Sequence, residues 1–134
     1  MLEAIDLAAR GVLVETPQDE ALATYTAQVE KKDAEIEWTS SAAQIERMTR
    51  AYNPWPVART RLGSDDVLVW RASVEEDGSS DAPGTIVSVK PNPVVQCGTG
   101  RLRLIELQAP GRKRMSAADF LRGKRVEAGA RFSV

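Results

Sequence analysis

The apolar residues at the beginning of the chain have the spacing of a short helix. Leu2, Ile5 and Ala9 lie on one helical face, and Gly11 stands where a glycine commonly ends a helix. Residues 2–10 are therefore expected to form a helix with one apolar stripe. Because a single short helix has little stability alone, we expect that stripe to need a partner surface.

The two regions that follow differ in pattern. Residues 12–30 have no sustained period, so we expect an extended linker with one helical turn over residues 19–23. Residues 41–52 have the strongest helical pattern, and Ser41 forms a capping box with Gln44 three positions later. The apolar stripe of this second helix consists of Ala42, Ile45, Met48 and Tyr52.

After Pro54 and Pro56, which end the second helix, the pattern becomes that of β-structure. Strands are expected over residues 57–62, 66–74, 85–89, 94–97, 101–108 and 131–134. The second of these strands has apolar residues on both faces, which favours a central position in the sheet. A β-bulge near Leu104 would turn four apolar residues inward, namely Leu102, Leu104, Ile105 and Leu107.

A short late helix completes the predicted elements. It begins at Ser116, which has a capping pattern with Asp119, and Gly123 is expected to end it. The predicted fold is mainly β: a small, partly open antiparallel OB-like barrel, with one α-helix before it and a short helix near the C-terminus.

Composition narrows the function. The 134 residues are 43% hydrophobic and 28% charged, as expected of one soluble domain. We see neither a membrane-length apolar stretch nor a signal-peptide pattern, so a cytoplasmic protein without membrane contact is expected. The single cysteine, Cys97, excludes an internal disulfide. The absence of histidine removes Ser-His and Cys-His nucleophile pairs and zinc sites built on Cys and His, so no metal is expected.

Charge is unevenly distributed along the chain. Residues 1–90 carry nine basic and sixteen acidic side chains, whereas residues 91–134 carry nine basic and only three acidic ones. The overall charge of −1 therefore conceals a strongly basic last third. This asymmetry favours a surface that binds a polyanion, unless folding mixes the two signs.

An ordered series of short sequences resembles the C-terminal part of methionyl-tRNA formyltransferases. The matching pieces are TPQDEALATY (residues 16–25), AEIEW (34–38), AAQI (42–45), NPWP (53–56), VWRA (69–72), APGTI (82–86) and LQAPGRKRMSA (107–117). They cover nearly the whole chain in the family's order. Two departures dilute the basic face of the linker, because Gln28 and Glu35 stand where the family commonly has basic residues.

The resemblance implies a division of labour between two domains. In that family an N-terminal Rossmann-like domain binds formyltetrahydrofolate and carries a catalytic Asn, His and Asp. By the same resemblance, residues 1–12 correspond to the last helix of that domain, residues 13–33 to a linker and residues 34–134 to a barrel that helps to hold initiator methionyl-tRNA. Because the resemblance places the catalytic domain outside this chain, the chain alone is expected to bind no cofactor and to perform no chemistry. The absence of histidine agrees, since the family's catalytic imidazole cannot come from these residues.

Basic residues on both sides of the late helix are the main candidate tRNA contacts. The helix N-terminus at Ser116 would add backbone N–H groups for a phosphate. Arg47 and Arg50 share a helix face, and they either contact phosphate or pair with Glu46 and Glu37. The complete candidate set is Lys31, Lys32, Arg47, Arg50, Arg101, Arg103, Arg112, Lys113, Arg114, Lys124 and Arg125.

Two other functions stay open. One is an assembly or packing module of a related formyltransferase that acts on a sugar nucleotide. The other is a free-standing barrel for single-stranded nucleic acid, with Trp38, Trp55 and Trp70 as stacking platforms. We expect Trp38 and Trp70 to lie in the core and Trp55 to anchor the turn into the barrel, which disfavours the second function.

Overall fold

A computed structural model describes residues 2–75 and 81–133. Within them lie three α-helices: α1 (Leu2–Ala9), α2 (Ala42–Ala51) and α3 (Ala117–Gly123). Two short 3-10 helices span Glu20–Leu22 and Lys31–Ala34. Most of the acidic loop between the second and third predicted strands falls outside the described residues.

The strands form one antiparallel sheet. Their bounds are β1 (Ala58–Leu62), β2 (Asp65–Glu75), β3 (Ile86–Ser88), β4 (Val94–Gln96), β5 (Arg101–Gln108), β6 (Met115–Ser116) and β7 (Phe132–Ser133). The order across the sheet is β3-β4-β5-β2-β1-β7, and β6 pairs with the end of β5. The strand with two apolar faces, β2, lies between β5 and β1, so its predicted central position is confirmed.

The sheet curls until its two ends nearly meet. Thr85 and Arg131 form an isolated antiparallel bridge between them. Two backbone hydrogen bonds of 2.8 Å flank the bridge. The Ile86 amide donates to the Ala130 carbonyl, and the Phe132 amide donates to the Gly84 carbonyl. The result is a nearly closed barrel with one unsealed seam, and the predicted fold class is confirmed.

Helix α2 covers the barrel interior, and the sequence determines how it begins. Its capping box is present, because the Ser41 hydroxyl accepts the Gln44 amide at 3.2 Å and the Gln44 side chain accepts the Ser41 amide at 3.2 Å. Ala42 and Ile45 of the predicted stripe are buried. Thr49 is also buried, and its hydroxyl donates to the Ile45 carbonyl at 2.9 Å. The predicted helix is confirmed.

The segment before α2 is joined to the barrel through Trp38. The ring of Trp38 is buried and stacks on Phe132 with centroids 5.5 Å apart, and its Nε1 donates to the Thr60 hydroxyl at 2.9 Å. The Trp38 carbonyl accepts the Gly98 amide at 2.8 Å. A Cβ at Gly98 would overlap the Thr39 carbonyl, so this close approach requires glycine. The core position predicted for Trp38 is confirmed.

The predicted bulge in β5 is confirmed, but its packing differs from the prediction. The β2–β5 register shifts on both sides of Arg71, which leaves Trp70 and Ile105 without a partner opposite. Leu104 and Leu107 are fully buried, whereas Ile105 is only half-buried. The irregularity changes which side of the strand faces inward, and the residue at the change point turns only partly toward the core.

The segment before the barrel contains no buried residue from residue 2 to residue 33. Leu2 is 84% exposed and Ile5 is 58% exposed, so the apolar stripe of α1 has no cover from the described chain. Gly11 ends this helix as predicted, with φ of 68°. The predicted helical turn is also present, because Asp19 caps the first 3-10 helix by accepting the Ala21 amide at 2.9 Å.

Candidate nucleic-acid interface

A short basic loop follows β5 and is fixed by hydrogen bonds to the end of that strand. The Gln108 side chain donates through Nε2 to the Arg112 carbonyl at 2.5 Å. The Arg112 amide donates to the Ala109 carbonyl at 3.0 Å, which closes a turn. The next residues form β6 and pair with β5. Arg112, Lys113 and Arg114, which we call the basic loop, are all exposed.

Trp70 of β2 supports the basic loop from beneath. Its Nε1 donates to the Gln108 Oε1 at 2.6 Å, and the Arg114 guanidinium carbon lies 3.2 Å from the centroid of its ring. The ring is half-buried and lies outside the core, so the core position predicted for Trp70 is wrong. The sequence pattern indicated this outward position, because Trp70 lies on the opposite face of the strand from the buried Val67 and Val69.

The prediction for Trp55 is also not supported. Its ring is 58% exposed, although an anchor of the turn into the barrel would be covered. The turn is held instead by the backbone, because the Val57 amide donates to the Tyr52 carbonyl at 2.9 Å. Trp55 is therefore an exposed aromatic at the end of α2, where no cation among the described residues stacks on it.

The N-terminus of α3 does not offer the expected phosphate site. The Ser116 hydroxyl accepts the Asp119 amide at 3.1 Å and donates to the Asp119 carboxylate at 2.7 Å. Helix α3 therefore begins with its own cap and a carboxylate in its first turn. Both features disfavour an incoming phosphate, which would compete with the cap and meet a like charge.

The chain leaves α3 through an unusual residue, Arg125, with φ of 54°. The Val126 amide donates to the Leu121 carbonyl at 3.0 Å and the Arg125 amide to the Arg122 carbonyl at 3.1 Å. This is a Schellman motif, in which glycine usually takes the left-handed position. Gly123, predicted to end the helix, is its last helical residue, but the left-handed position falls two residues later, at Arg125.

Lys124, one position earlier, forms a salt bridge with a carboxylate. Its Nζ lies 2.5 Å from the Oδ2 of Asp65, the first residue of β2. The Lys124 side chain is only 33% exposed, and its Nζ also lies 5.8 Å from the centroid of the Phe120 ring. Arg125 has no such partner among the described residues and remains exposed.

A cleft of about 800 Å³ opens between α3 and the turn that joins β3 to β4. Its floor is apolar and its rim carries three cations and one carboxylate. The cations are Lys90, Arg122 and Arg125, and the carboxylate belongs to Glu127. Lys90 is absent from the candidate set, because only folding brings the residue before Pro91 next to α3.

Four of the candidate cations, Lys124 among them, are paired with carboxylates. The pairs are Lys32–Glu30 at 3.0 Å, Arg50–Glu46 at 2.7 Å, Lys124–Asp65 at 2.5 Å and Arg103–Glu75. Of the alternatives left open for Arg50, the structure thus supports pairing within its helix. Arg101 is half-buried, with its Nε 3.4 Å from the Gln96 Oε1. Lys31 and Arg47 are exposed but take no part in the contacts that fix the basic loop.

Neither the single cysteine nor the potential metal ligands of the described residues indicate a catalytic or metal site. Cys97 is buried, and desolvation raises the pKa of its thiol to about 12, although a backbone hydrogen bond from Leu102 lowers it. A thiol with that pKa is protonated at neutral pH and is a poor nucleophile. The described residues hold no cluster of three or more potential metal ligands. No helix described here has the length and apolar character to cross a membrane.

Taken together, the fold and the exposed basic loop define a small OB-like barrel with a candidate polyanion-binding surface. The chain belongs to the formyl transferase C-terminal domain family, whose model matches residues 28–125. The sequence resemblance to methionyl-tRNA formyltransferases is confirmed, since curated relatives bearing that name align with most of the chain.

Three such relatives show how much of each protein is matched. A methionyl-tRNA formyltransferase of Methylobacillus flagellatus is 43% identical over 98% of this chain and 42% of its own length. That of Roseiflexus sp. is 41% identical over 98% of this chain and 41% of its length. That of Methylococcus capsulatus is 43% identical over 78% of this chain and 34% of its length. The chain thus spans about two fifths of these relatives or less.

Solved structures with the same fold include variants of HypX from Aquifex aeolicus. One variant has a TM-score of 0.65 at 20% identity, over 95% of this chain and 23% of that one. A second has a TM-score of 0.63 at 20% identity, over 90% of this chain and 22% of that one. At this level of identity the likeness supports the fold alone.

Proposed function

We propose that this chain is the tRNA-binding part of a methionyl-tRNA formyltransferase. It holds the acceptor arm of initiator methionyl-tRNA through phosphates and shape, in the cytoplasm, while a catalytic domain outside residues 1–134 formylates the amino group. The chain raises affinity and orients the substrate, and it performs no bond-making step itself. Its membership of the family and the names of its relatives support this assignment.

The basic loop is the observation that carries the proposal. Three successive cations are exposed there, and none of them has an ion pair with a carboxylate of residues 2–75 or 81–133. Gln108 holds the loop backbone at Arg112 and Trp70 holds the Arg114 guanidinium, so the loop has a fixed path before RNA arrives. Ordered cations without partners bind phosphate without first breaking another interaction.

The formyl donor and the reacting groups belong elsewhere on this account. The family resemblance assigns formyltetrahydrofolate and the catalytic Asn, His and Asp to the N-terminal domain, and this chain contains no histidine. We assign no residue of this chain to the donor. Incubation of the chain with formyltetrahydrofolate and methionyl-tRNA is expected to give no formylated product above a control without protein.

Binding measurements test the proposal against its closest rival. Initiator tRNA and a sugar nucleotide are titrated separately into the chain, with binding followed by fluorescence or by calorimetry. We expect tRNA to bind with an affinity that falls steeply with salt, as counterion release requires, and the sugar nucleotide not to bind. Failure of tRNA to bind at low salt would contradict the proposal and favour an assembly module.

A further inference from the structure

We propose that the guanidinium of Arg114 is a stacking platform for an unpaired RNA base, with Trp70 as the layer beneath it. The inference rests on the proposed function and names the RNA feature that the basic loop recognises. The order of the layers is Trp70, then Arg114, then the base. Arg112 and Lys113 contact phosphates of neighbouring nucleotides.

The lower layer is fixed in position. The indole N–H of Trp70 donates to Gln108 at 2.6 Å, and the same Gln108 side chain donates to the Arg112 carbonyl at 2.5 Å. One glutamine therefore sets both the orientation of the indole and the path of the loop. A ring held in this way presents a constant surface to whatever stacks on it.

The middle layer has the chemistry that stacking requires. Arg114 lies 3.2 Å from the Trp70 ring centroid, so one face of its planar guanidinium is covered by the indole. The residue is nevertheless exposed, and it has no ion pair within the described part of the chain. A guanidinium is flat and weakly hydrated on its faces, which suits stacking on both sides, whereas an ammonium has no such face.

The upper layer must come from an unpaired nucleotide. Bases inside a duplex are stacked on one another and present only their edges, whereas bases of loops and ends stack on aromatic rings and on arginine planes. The same loop that binds phosphates would thus distinguish unpaired from paired regions of one RNA. A lysine-only loop of equal charge would lack that discrimination.

The test compares Arg114→Lys with the matched control Arg112→Lys, since both keep the charge and only the first removes a stacked plane. Three RNA probes are used: a blunt duplex, the same duplex with a short single-stranded 3′ overhang, and that overhang made abasic. We expect Arg114→Lys to weaken binding of the intact overhang about tenfold and to leave the blunt and abasic probes nearly unchanged. Arg112→Lys is expected to affect all three probes equally and weakly.

Each other result overturns the inference. Equal effects of the two variants on the intact overhang would show that Arg114 supplies charge alone. An equal loss on all three probes would show that Arg114 merely supports the loop. Trp70→Leu, checked for folding by circular dichroism, must reproduce the selective loss on the intact overhang. If the unmodified chain binds none of the three probes, the proposed function itself fails and this inference falls with it, whereas the results above overturn the inference alone.

Discussion

The basic loop and the paired cations carry similar charges in different surroundings. Arg112, Lys113 and Arg114 are exposed, and their loop is held by Trp70 beneath the Arg114 guanidinium and by Gln108 at the Arg112 carbonyl. Arg50 and Lys124, by contrast, are tied to carboxylates at 2.7 Å and 2.5 Å. A paired cation must give up its partner to bind a phosphate, whereas a loop cation does not. Surface position and pairing, more than the number of basic residues, therefore indicate where the proposed RNA surface lies.

The difference follows from the charge distribution along the chain. Residues 91–134 have nine basic and only three acidic side chains, so most cations of this region have no carboxylate of the same region to pair with. Asp119 is used by the α3 cap and by Arg122 at 3.1 Å. Cations of this region find carboxylates mainly by reaching the acidic first part, as Lys124 does with Asp65. The basic loop makes no such contact with the described chain and keeps its charge for a ligand.

The largest single-residue effect on stability is expected at Arg125, which is both an exposed cation and a non-glycine residue with φ of 54°. Arg125→Gly relieves a left-handed strain of roughly 1–2 kcal/mol and costs roughly 0.5–1 kcal/mol in chain entropy, so the free energy of unfolding should rise by about 0.5–1 kcal/mol. Binding of tRNA should fall several-fold, by roughly one phosphate contact. Arg125→Ala is the control, because it loses the same charge without the gain in stability. Chemical denaturation and tRNA titration measure both effects.

Arg125→Gly must raise the free energy of unfolding while it lowers the affinity for tRNA. If Arg125→Gly and Arg125→Ala weaken tRNA binding alike and only the glycine variant is stabilised, Arg125 keeps a strained backbone for the sake of its charge. Unchanged tRNA binding in both variants would remove Arg125, on the rim of the 800 Å³ cleft, from the proposed RNA surface.

A smaller effect is expected when a paired cation is released. Asp65→Asn frees Lys124 beside Arg125, and tRNA affinity should rise about two- to threefold at low salt. Asp66→Asn is the matched control, because it removes the same charge from the adjacent residue and instead frees Arg61, which pairs with Asp66 at 3.0 Å. Titration of tRNA into both variants compares them. Equal gains would show that the overall field, and not the freed lysine, controls affinity.

The smallest effect is expected at Arg50. Arg50→Ala breaks a helical pair with Glu46 across one turn of α2, so unfolding free energy should fall by about 0.3–0.5 kcal/mol. Affinity for tRNA should stay within twofold, because this cation is held by its own helix. A loss of tRNA binding as large as that of a basic-loop residue would make α2 part of the RNA surface.

Local patterns predicted much of this structure. The capping box of α2 and the bulge in β5 depend on residues close in sequence, and both could be predicted. The outward position of Trp70 could also have been predicted, because the residue alternates with buried valines along β2. Its large aromatic side chain led instead to the prediction of a core position. The pairing of Lys124 with Asp65 joins residues 59 positions apart, so it depends on the barrel's topology. The cleft beside α3 likewise joins segments distant in sequence, so the sequence pattern did not predict it.

The most direct test of the central claim compares two triple variants with the same loss of charge. One is Arg112→Ala, Lys113→Ala and Arg114→Ala; the other is Lys32→Ala, Arg50→Ala and Arg61→Ala, whose cations all have carboxylate partners. Affinity for initiator tRNA is measured at several salt concentrations, with folding checked by circular dichroism. The basic-loop variant should reduce the slope of log K against log salt by roughly two to three, and the paired variant by less than about one. Equal slopes, or a larger change in the paired variant, would contradict the claim and place the RNA surface on the linker and α2.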